Sequence, residues 1–212
     1  MKNKRFFLLI VLLVGCSLVL NAQNRLSKAQ QETFKKQVET IAKKTNTITS
    51  DFEQIKHIDV LDNEIVSHGK LIYKAPQHIK WEYTSPTMYT VIFKDDKLFV
   101  NNQGKKDEVN LNSNKIFKSF NALIVNSVKG NMFDEEQFDI EYSLLENHYN
   151  ATFAPKDKRL KKFIHSFVLQ FDVKTKQVTQ IKMIEPGGDY TLVVFKNRKD
   201  NIPVSQASFN ID

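Results

Sequence analysis

Residues 69–93 read GKLIYKAPQHIKWEYTSPTMYTVIF, and the alternation of apolar and polar residues in this stretch predicts the fold. A period of two places every second side chain on the same face of a β-strand. Pro76 and Pro86 bound the central run, and strands commonly end at proline. The apolar residues that would share one sheet face are Leu71, Tyr73, Ile79, Trp81, Tyr83, Val91 and Phe93. The stretch therefore predicts consecutive strands joined by short turns.

The same period continues along the chain on both sides of this stretch. Before it, Ile48, Ser50, Phe52 and Gln54 alternate with polar residues, and a hairpin follows at Asp62-Asn63. After it, further strands are predicted over 98–100, 138–146, 149–154, 163–172, 177–185 and 189–197, with a last short strand over 205–211. A second apolar stripe would consist of Phe163, Phe167, Leu169 and Phe171. Gly187-Gly188 is typical of a tight hairpin turn.

Two segments change to the helical period of about 3.6 residues. In residues 27–45, Phe34, Val38 and Ile41 recur on one face, and Ser27 with Gln30 forms a capping-box pattern. In residues 114–129 the recurring apolar residues are Phe117, Phe120, Leu123, Ile124 and Val128. Both segments are predicted to be amphipathic helices that cover an apolar surface.

A sheet with this many strands must curl or close. We therefore predict a mainly β fold with helices (α+β), in which an incomplete, strongly curved antiparallel β-barrel carries an α-helical lid over its apolar concave face. The chain has no internal repeat and no linker-like stretch, so residues 23–212 are predicted to form a single domain.

The first 22 residues have the layout of a signal peptide. Lys2, Lys4 and Arg5 precede an apolar run of about 15 residues, which is shorter than the roughly 20 that a membrane span needs. Ala22 supplies a small residue for cleavage. The alternative is a lipoprotein signal, because residues 13–16 read LVGC and Cys16 could be acylated. The apolar residues that follow Cys16 favour cleavage after Ala22 and export.

Removal of the leader leaves 28 basic residues, three fewer than the 31 of the full chain, against 24 acidic ones, a net charge of +4. It also removes the single cysteine, so the exported chain can form no internal disulfide. This mild charge permits contact with anionic lipid or an acidic partner but requires neither. Nucleic acid is not expected as a partner of an exported protein, and a monomer is expected.

The sequence carries few signs of catalysis. The five histidines form no His-Glu-x-x-His pair, and the Gly-x-Ser-x-Gly motif of hydrolases is missing. Ser67-His68-Gly69-Lys70 matches Ser-x-x-Lys, but it lies on a predicted strand without companion motifs. We therefore expect that the protein is not an enzyme and that it has no metal site and no cofactor.

A basic run and the apolar stripes each have two interpretations. The run consists of Lys156, Lys158, Arg159, Lys161 and Lys162. It is either a solvated loop between strands or a surface that docks onto an acidic partner or an anionic membrane. The stripes form either an ordinary core or a cavity for acyl chains, and both require the same residue types.

The order of these signals resembles the LolA-type outer-membrane lipoprotein carriers. The matching motifs are Phe52-Glu53-Gln54, Gly69-Lys70-Leu71, Pro76 with Ile79-Lys80-Trp81, and Asp96-Lys97-Leu98. The tail matches as well, at Leu169, Asp172, Gly188-Asp189-Tyr190-Thr191, Phe195, Asn197 and Phe209. The similarity extends from about residue 30 to about residue 210.

The resemblance implies a periplasmic half-barrel that carries acylated lipoproteins. Such carriers receive the cargo from an inner-membrane ABC transporter and pass it to an outer-membrane acceptor, without chemistry. The alternatives are a carrier of another lipid or glycolipid, an anchored acceptor if Cys16 is acylated, and, last, an envelope-lipid hydrolase. The expected acyl-binding residues are Phe34, Val38, Ile41, Phe52, Leu71, Tyr73, Ile79, Trp81, Tyr83, Val91, Phe93, Phe117, Phe120, Ile124, Phe167, Leu169 and Phe171.

One position departs from the family pattern. The family often has an arginine before the strand-opening proline, where it holds the lid through a hydrogen bond. Here that position is Ala75. We therefore expect the lid helices to be held by apolar contacts alone.

Overall fold

The computed structural model describes residues 24–95, 97–110 and 132–210. The predicted leader and the predicted helix over 114–129, with Phe117, Phe120 and Ile124, lie outside these residues. The helix is α1, Lys28–Lys44. The strands are β1 Thr47–His57, β2 Ile65–Lys74, β3 His78–Ser85, β4 Tyr89–Lys94, β5 Lys97–Asn102, β6 Lys105–Asn110, β7 Phe138–Leu145, β8 His148–Pro155, β9 Ser166–Asp172, β10 Val178–Ile184 and β11 Tyr190–Asp200.

The eleven strands found in the described residues form one antiparallel sheet. Its order is β6-β5-β4-β3-β2-β1-β11-β10-β9-β8-β7, so neighbours along the chain are neighbours in the sheet except where β1 pairs with β11. The order begins with β6 and ends with β7, and these two strands are not paired with each other. The prediction of an antiparallel sheet that is not closed into a barrel is confirmed.

The sheet curves strongly. β4 and β9 are six places apart in the sheet order, which would separate them by about 29 Å in a flat sheet at ~4.8 Å per step. Val91 on β4 and Leu169 on β9 nevertheless line the same cavity. The apolar face must therefore be concave, and it faces α1.

The helix α1 begins and packs as its sequence predicts. The Ser27 hydroxyl oxygen accepts a hydrogen bond from the Gln30 backbone N–H, and the Gln30 side chain accepts one from the Ser27 backbone N–H at 2.8 Å. Phe34, 1% exposed, stacks on Tyr149 with ring centroids 4.6 Å apart and meets Phe171 edge to face at 5.1 Å. For α1, the prediction of a helix over the concave face is confirmed.

Polar contacts also fasten α1, so the expectation of apolar contacts alone is wrong. The Asn201 side chain accepts from the Asn46 backbone N–H at 2.7 Å and donates to the Lys44 carbonyl at 3.1 Å. The Ala75 backbone N–H donates to the Asn46 carbonyl at 2.8 Å. Because the backbone of residue 75 makes this bond, the end of α1 is fixed to the β2–β3 turn without an arginine side chain there.

A salt bridge fixes the middle of α1. The Lys35 ammonium lies 2.6 Å from Glu32 and 3.0 Å from Glu135, which precedes β7. Burial by itself would lower the pKa of Lys35, but the bonds to both carboxylates outweigh it and raise that pKa. Lys35 therefore stays charged and connects the helix to the start of the second half of the sheet.

Two further predictions from the pattern are wrong. The strand predicted over 205–211 is not formed in its described part, residues 205–210, because Gln206–Phe209 is a 3-10 turn that Ser205 caps and Phe209 anchors against the His78 ring at 5.3 Å. Phe163 does not belong to the apolar stripe of β9. It follows the 3-10 turn Leu160–Lys162 and is 55% exposed, because β9 begins only at Ser166.

Because Gly69 on β2 has no side chain, the Phe52 ring on the neighbouring strand β1 can pack across it. The ring of Phe52 lies across Gly69, its neighbour on β2. A Cβ at position 69 would lie 2.6 Å from Cε1 of Phe52 and closer still to the Glu82 carbonyl oxygen. Only glycine leaves room for the ring, which then supports Trp81 and Tyr83 at centroid distances of 4.7 and 5.1 Å.

We expect Gly69→Ala to lower the free energy of unfolding by about 1–3 kcal/mol, because the added methyl overpacks Phe52 and the β3 backbone. Gly187→Ala is the matched control, since a Cβ there meets no atom within 4 Å, and its effect should stay within about 0.5 kcal/mol. Urea unfolding measures both. Equal stabilities for the two variants would contradict the packing assigned to Gly69.

Candidate functional site

An apolar cavity lies between α1 and the concave face of the sheet. Its volume is about 480 Å³, within the range of pockets that hold small ligands. The expected acyl-binding residues that line it are Val38, Ile41, Leu71, Tyr73, Ile79, Trp81, Tyr83, Val91, Phe93, Phe167, Leu169 and Phe171. The two apolar stripes of the sequence therefore meet across one cavity.

Two of the expected residues lie behind this wall. Phe34 is packed into the aromatic cluster of α1, β7, β8 and β9, and Phe52 lies beneath Trp81 and Tyr83. Both are at most 2% exposed. They support the residues that line the cavity and do not line it themselves.

Several lining residues were not found from the sequence. They are Ala42, Thr45, Ile48, Ser50, Gln54, Tyr89, Met132, Phe153, Lys176, Gln177, Val178, Ile181, Met183, Thr191, Val193, Phe195 and Arg198. The alternation of Thr191, Val193 and Phe195 was a usable signal on β11. On β10 the register shifts between Val178 and Gln180, so a strict period of two fails there.

One part of the wall combines aromatic rings with a hydrogen bond. The Tyr83 hydroxyl donates to Oε1 of Gln54 at 2.7 Å, and its ring stacks on Tyr89 at 4.1 Å. Burial raises the pKa of Tyr83, and the neighbouring Tyr89 raises it further. Tyr83 therefore keeps its proton and remains a donor at neutral pH. The Trp81 indole nitrogen is buried without a hydrogen-bond partner among the described residues.

Two charged side chains stand among the described residues that line the cavity. Arg198 on β11 pairs with Asp200, with 2.8 Å between Nε and Oδ1. Lys176, in the turn between β9 and β10, donates to the Val173 carbonyl and lies 4.9 Å from the centroid of the Tyr149 ring. The remainder of the lining is mainly apolar, so the wall suits an apolar chain.

The basic run lies on the connection between β8 and β9, which contains the 3-10 turn Leu160–Lys162. Lys156 donates to the Glu135 carbonyl at 2.7 Å, and Arg159 pairs with Asp157 at 2.8 Å. This arginine lowers the pKa of Asp157. The remaining members, Lys158, Lys161 and Lys162, are exposed. The run therefore presents three solvent-facing lysines beside exposed Phe163.

This connection lies at the same end of the sheet as the β1–β2 hairpin. Ser166 pairs with Ile184, Ile184 with Tyr190, and Tyr190 with His57. The hairpin that follows His57 carries Val60, which is 88% exposed, and Leu61, which is 46% exposed. Exposed apolar and basic side chains thus occur together at one end of the molecule.

Residues 24–95, 97–110 and 132–210 contain few features of other kinds of site. These residues contain no group of three or more His, Asp or Glu side chains that could hold a metal ion. Of the helices in the same ranges, none has both the length and the apolar character that crossing a membrane requires.

The fold and the cavity define an open half-barrel with a helix over an apolar interior. Residues 43–212 match the family model for LolA, the outer membrane lipoprotein carrier protein. The chain belongs to the LolA family. The resemblance inferred from the sequence motifs is confirmed. Comparison with curated protein sequences finds no significant match.

Solved structures resemble this chain at low sequence identity. An uncharacterized conserved protein from Thermus thermophilus has a TM-score of 0.53 at 6% identity, over 84% of this chain and 91% of that one. A chain of the Pseudomonas aeruginosa MucA/MucB complex has a TM-score of 0.50 at 9% identity, over 85% of this chain and 60% of that one. A LolA superfamily protein from Nitrosomonas europaea has a TM-score of 0.46 at 6% identity, over 85% and 97%.

Proposed function

We propose that this protein is a periplasmic carrier that shields the acyl chains of lipoproteins in its cavity and shuttles them from the inner to the outer membrane. The observation that carries the proposal is the 480 Å³ cavity between α1 and the curved sheet, whose lining is mainly apolar and aromatic. Membership of a family of lipoprotein carriers supports the same role. The role requires binding and release but no catalysis.

The energetics of the cavity suit reversible carriage. Transfer of an acyl chain from water to an apolar wall stabilises the complex by about 0.8 kcal/mol per methylene, or roughly 12 kcal/mol for a chain of about 16 carbons. Loss of translational and rotational freedom opposes binding by some 4–15 kcal/mol. The net affinity is therefore moderate, and a partner that offers a comparable apolar site can receive the cargo.

The partners follow from this proposal. The carrier receives its cargo from an inner-membrane ABC transporter that releases lipoproteins. It then delivers the cargo to an outer-membrane acceptor. The carrier acts as a monomer whose single domain covers residues 23–212, without a cofactor or metal ion.

A charge introduced into the cavity should weaken the binding of an acyl chain. Val91→Lys places an ammonium against the acyl chain, and we expect an affinity loss of roughly tenfold or more for a neutral diacylated lipopeptide, because the charge must be desolvated. Thr90→Lys is the matched control, since position 90 lies on the other face of β4, opposite Glu82. Calorimetry gives the affinities and thermal melts check the fold. Equal binding by both variants would contradict the cavity as the acyl site.

The leader is proposed to be a signal peptide removed after Ala22. Export in a diderm bacterium should yield a protein that begins at Gln23, which intact-mass spectrometry of the purified periplasmic fraction measures. A mass that corresponds to a lipid-modified Cys16, in the membrane fraction, would instead support the anchored acceptor.

The basic run is proposed to dock the carrier onto an anionic membrane surface. Exposed Phe163 among Lys158, Lys161 and Lys162 combines an apolar anchor with positive charge, as interfacial segments do. Each lysine near an anionic surface contributes about 1 kcal/mol. The exposed hairpin residues Val60 and Leu61 at the same end of the sheet add apolar area.

We expect the triple variant K158Q/K161Q/K162Q to bind phosphatidylglycerol vesicles up to about 100-fold more weakly than the wild type, because three such contributions are lost. The variant K36Q/K105Q/K199Q changes the net charge equally at exposed sites elsewhere and should bind nearly as the wild type does. Vesicle flotation measures both. If the two triple variants lose binding equally, only net charge matters and the docking surface is wrong.

A further inference from the structure

Lys176 is a cation on the cavity wall whose charge the described residues leave unbalanced. Among the described residues that line the cavity, the charged side chains are Lys176 and Arg198. Arg198 is neutralised by Asp200, at 2.8 Å. The Lys176 ammonium forms no ion pair within the described ranges and is in contact with the Val173 carbonyl and the Tyr149 ring.

The rest of the chain supplies few candidates for a counter-charge. Residues 111–131 contain no aspartate or glutamate, and outside the described residues the acidic side chains are Asp96 and Asp212. Within the β9–β10 turn, Asp172 is occupied by the turn itself. One of its oxygens accepts from the backbone N–H groups of Lys174 at 2.9 Å and Thr175 at 2.7 Å.

The turn presents the ammonium to the cavity. Lys176 has φ 57°, a left-handed conformation that is uncommon outside glycine. The side chain is half-buried and lines the cavity that Ala42 of α1 also lines. An ammonium has three donors, and the carbonyl of Val173 uses one of them. A charged group with free donors beside an apolar cavity suits a ligand that has an anion at one end of its chain.

We propose that the cavity takes acyl lipids with an anionic head group and that Lys176 binds that head group. The inference rests on the proposed function, because it assumes that the cavity holds the acyl chain. The ligand class is a long acyl chain joined to a carboxylate, as in a fatty acid, or to a phosphate, as in lysophosphatidate. Both anions accept charge-assisted hydrogen bonds from an ammonium.

The test compares lipids that differ only in the head group. Delipidated full-length mature protein is titrated with hexadecanoate and palmitoyl lysophosphatidate, and with the uncharged hexadecanol and monopalmitoylglycerol, at mildly alkaline pH. Calorimetry gives the affinities, and Trp81, the only tryptophan and a lining residue, reports occupancy by fluorescence. We expect at least one anionic lipid to bind about tenfold or more tightly than its uncharged counterpart, as one charged hydrogen bond allows.

Variants distinguish the effect of Lys176 on lipid preference from the effect of losing any positive charge. Lys176→Met should remove the preference for the anionic lipids over their uncharged counterparts, while Lys176→Arg should retain it. Lys174→Met is the matched control, because Lys174 is an exposed lysine of the same turn that does not line the cavity. This control should bind all four lipids as the wild type does.

The outcomes distinguish the two proposals. If the wild type binds charged and uncharged lipids equally, or if Lys176→Met keeps the preference, the head-group site is wrong and the acyl cavity stands. If the wild type binds none of the four lipids and no lipopeptide, the acyl cavity is wrong and the head-group site with it. A preference for the carboxylate or for the phosphate identifies which anion the site accepts.

Discussion

The curvature of the sheet, and the single apolar face that it encloses, is the constraint on which the rest of the structure depends. An eleven-stranded sheet with one apolar face must hide that face from water. The helix α1 fills one side of the concave face, where Phe34 and Val38 join the tightly packed cluster of β7, β8 and β9. Toward β2, β3 and β4 the described residues leave space, and that space is the cavity.

The cavity keeps its shape because rigid groups behind the wall support it. Phe52 lies against Trp81 and Tyr83 from below, and it reaches them only because Gly69 leaves room for its ring. The hydrogen bond between Tyr83 and Gln54 fixes a polar group that would otherwise be unpaired in an apolar wall. Asn201 and Lys35 hold α1 in place over the cavity. A preformed cavity of this kind costs little reorganisation when a chain enters.

The two proposed interaction sites lie at opposite ends of β9. Exposed lysines and Phe163 occur at the end of the sheet that holds the β1–β2 hairpin, whereas Lys176 reaches the cavity from the β9–β10 turn at the opposite end of β9. The proposed surface for the membrane and the proposed site for a head group are therefore separate, and one can be changed without the other. In a carrier, this separation allows docking and cargo selection to vary independently.

The sequence by itself determined most of the strands, though not β6, together with α1 and its cap and the two apolar stripes apart from Phe163, because these depend on local periods of about 2 and 3.6 residues. Only the tertiary structure decided that the stripes from β2–β4 and β9 meet across one cavity, since curvature joins strands that are far apart along the chain. It also decided that Phe34 and Phe52 support the wall, that Phe163 is exposed, and that Asn201 fastens α1. Lys176 was missed for the same reason. No local pattern states which side chains a residue meets when its partners lie far away along the chain, and packing alone assigns those neighbours.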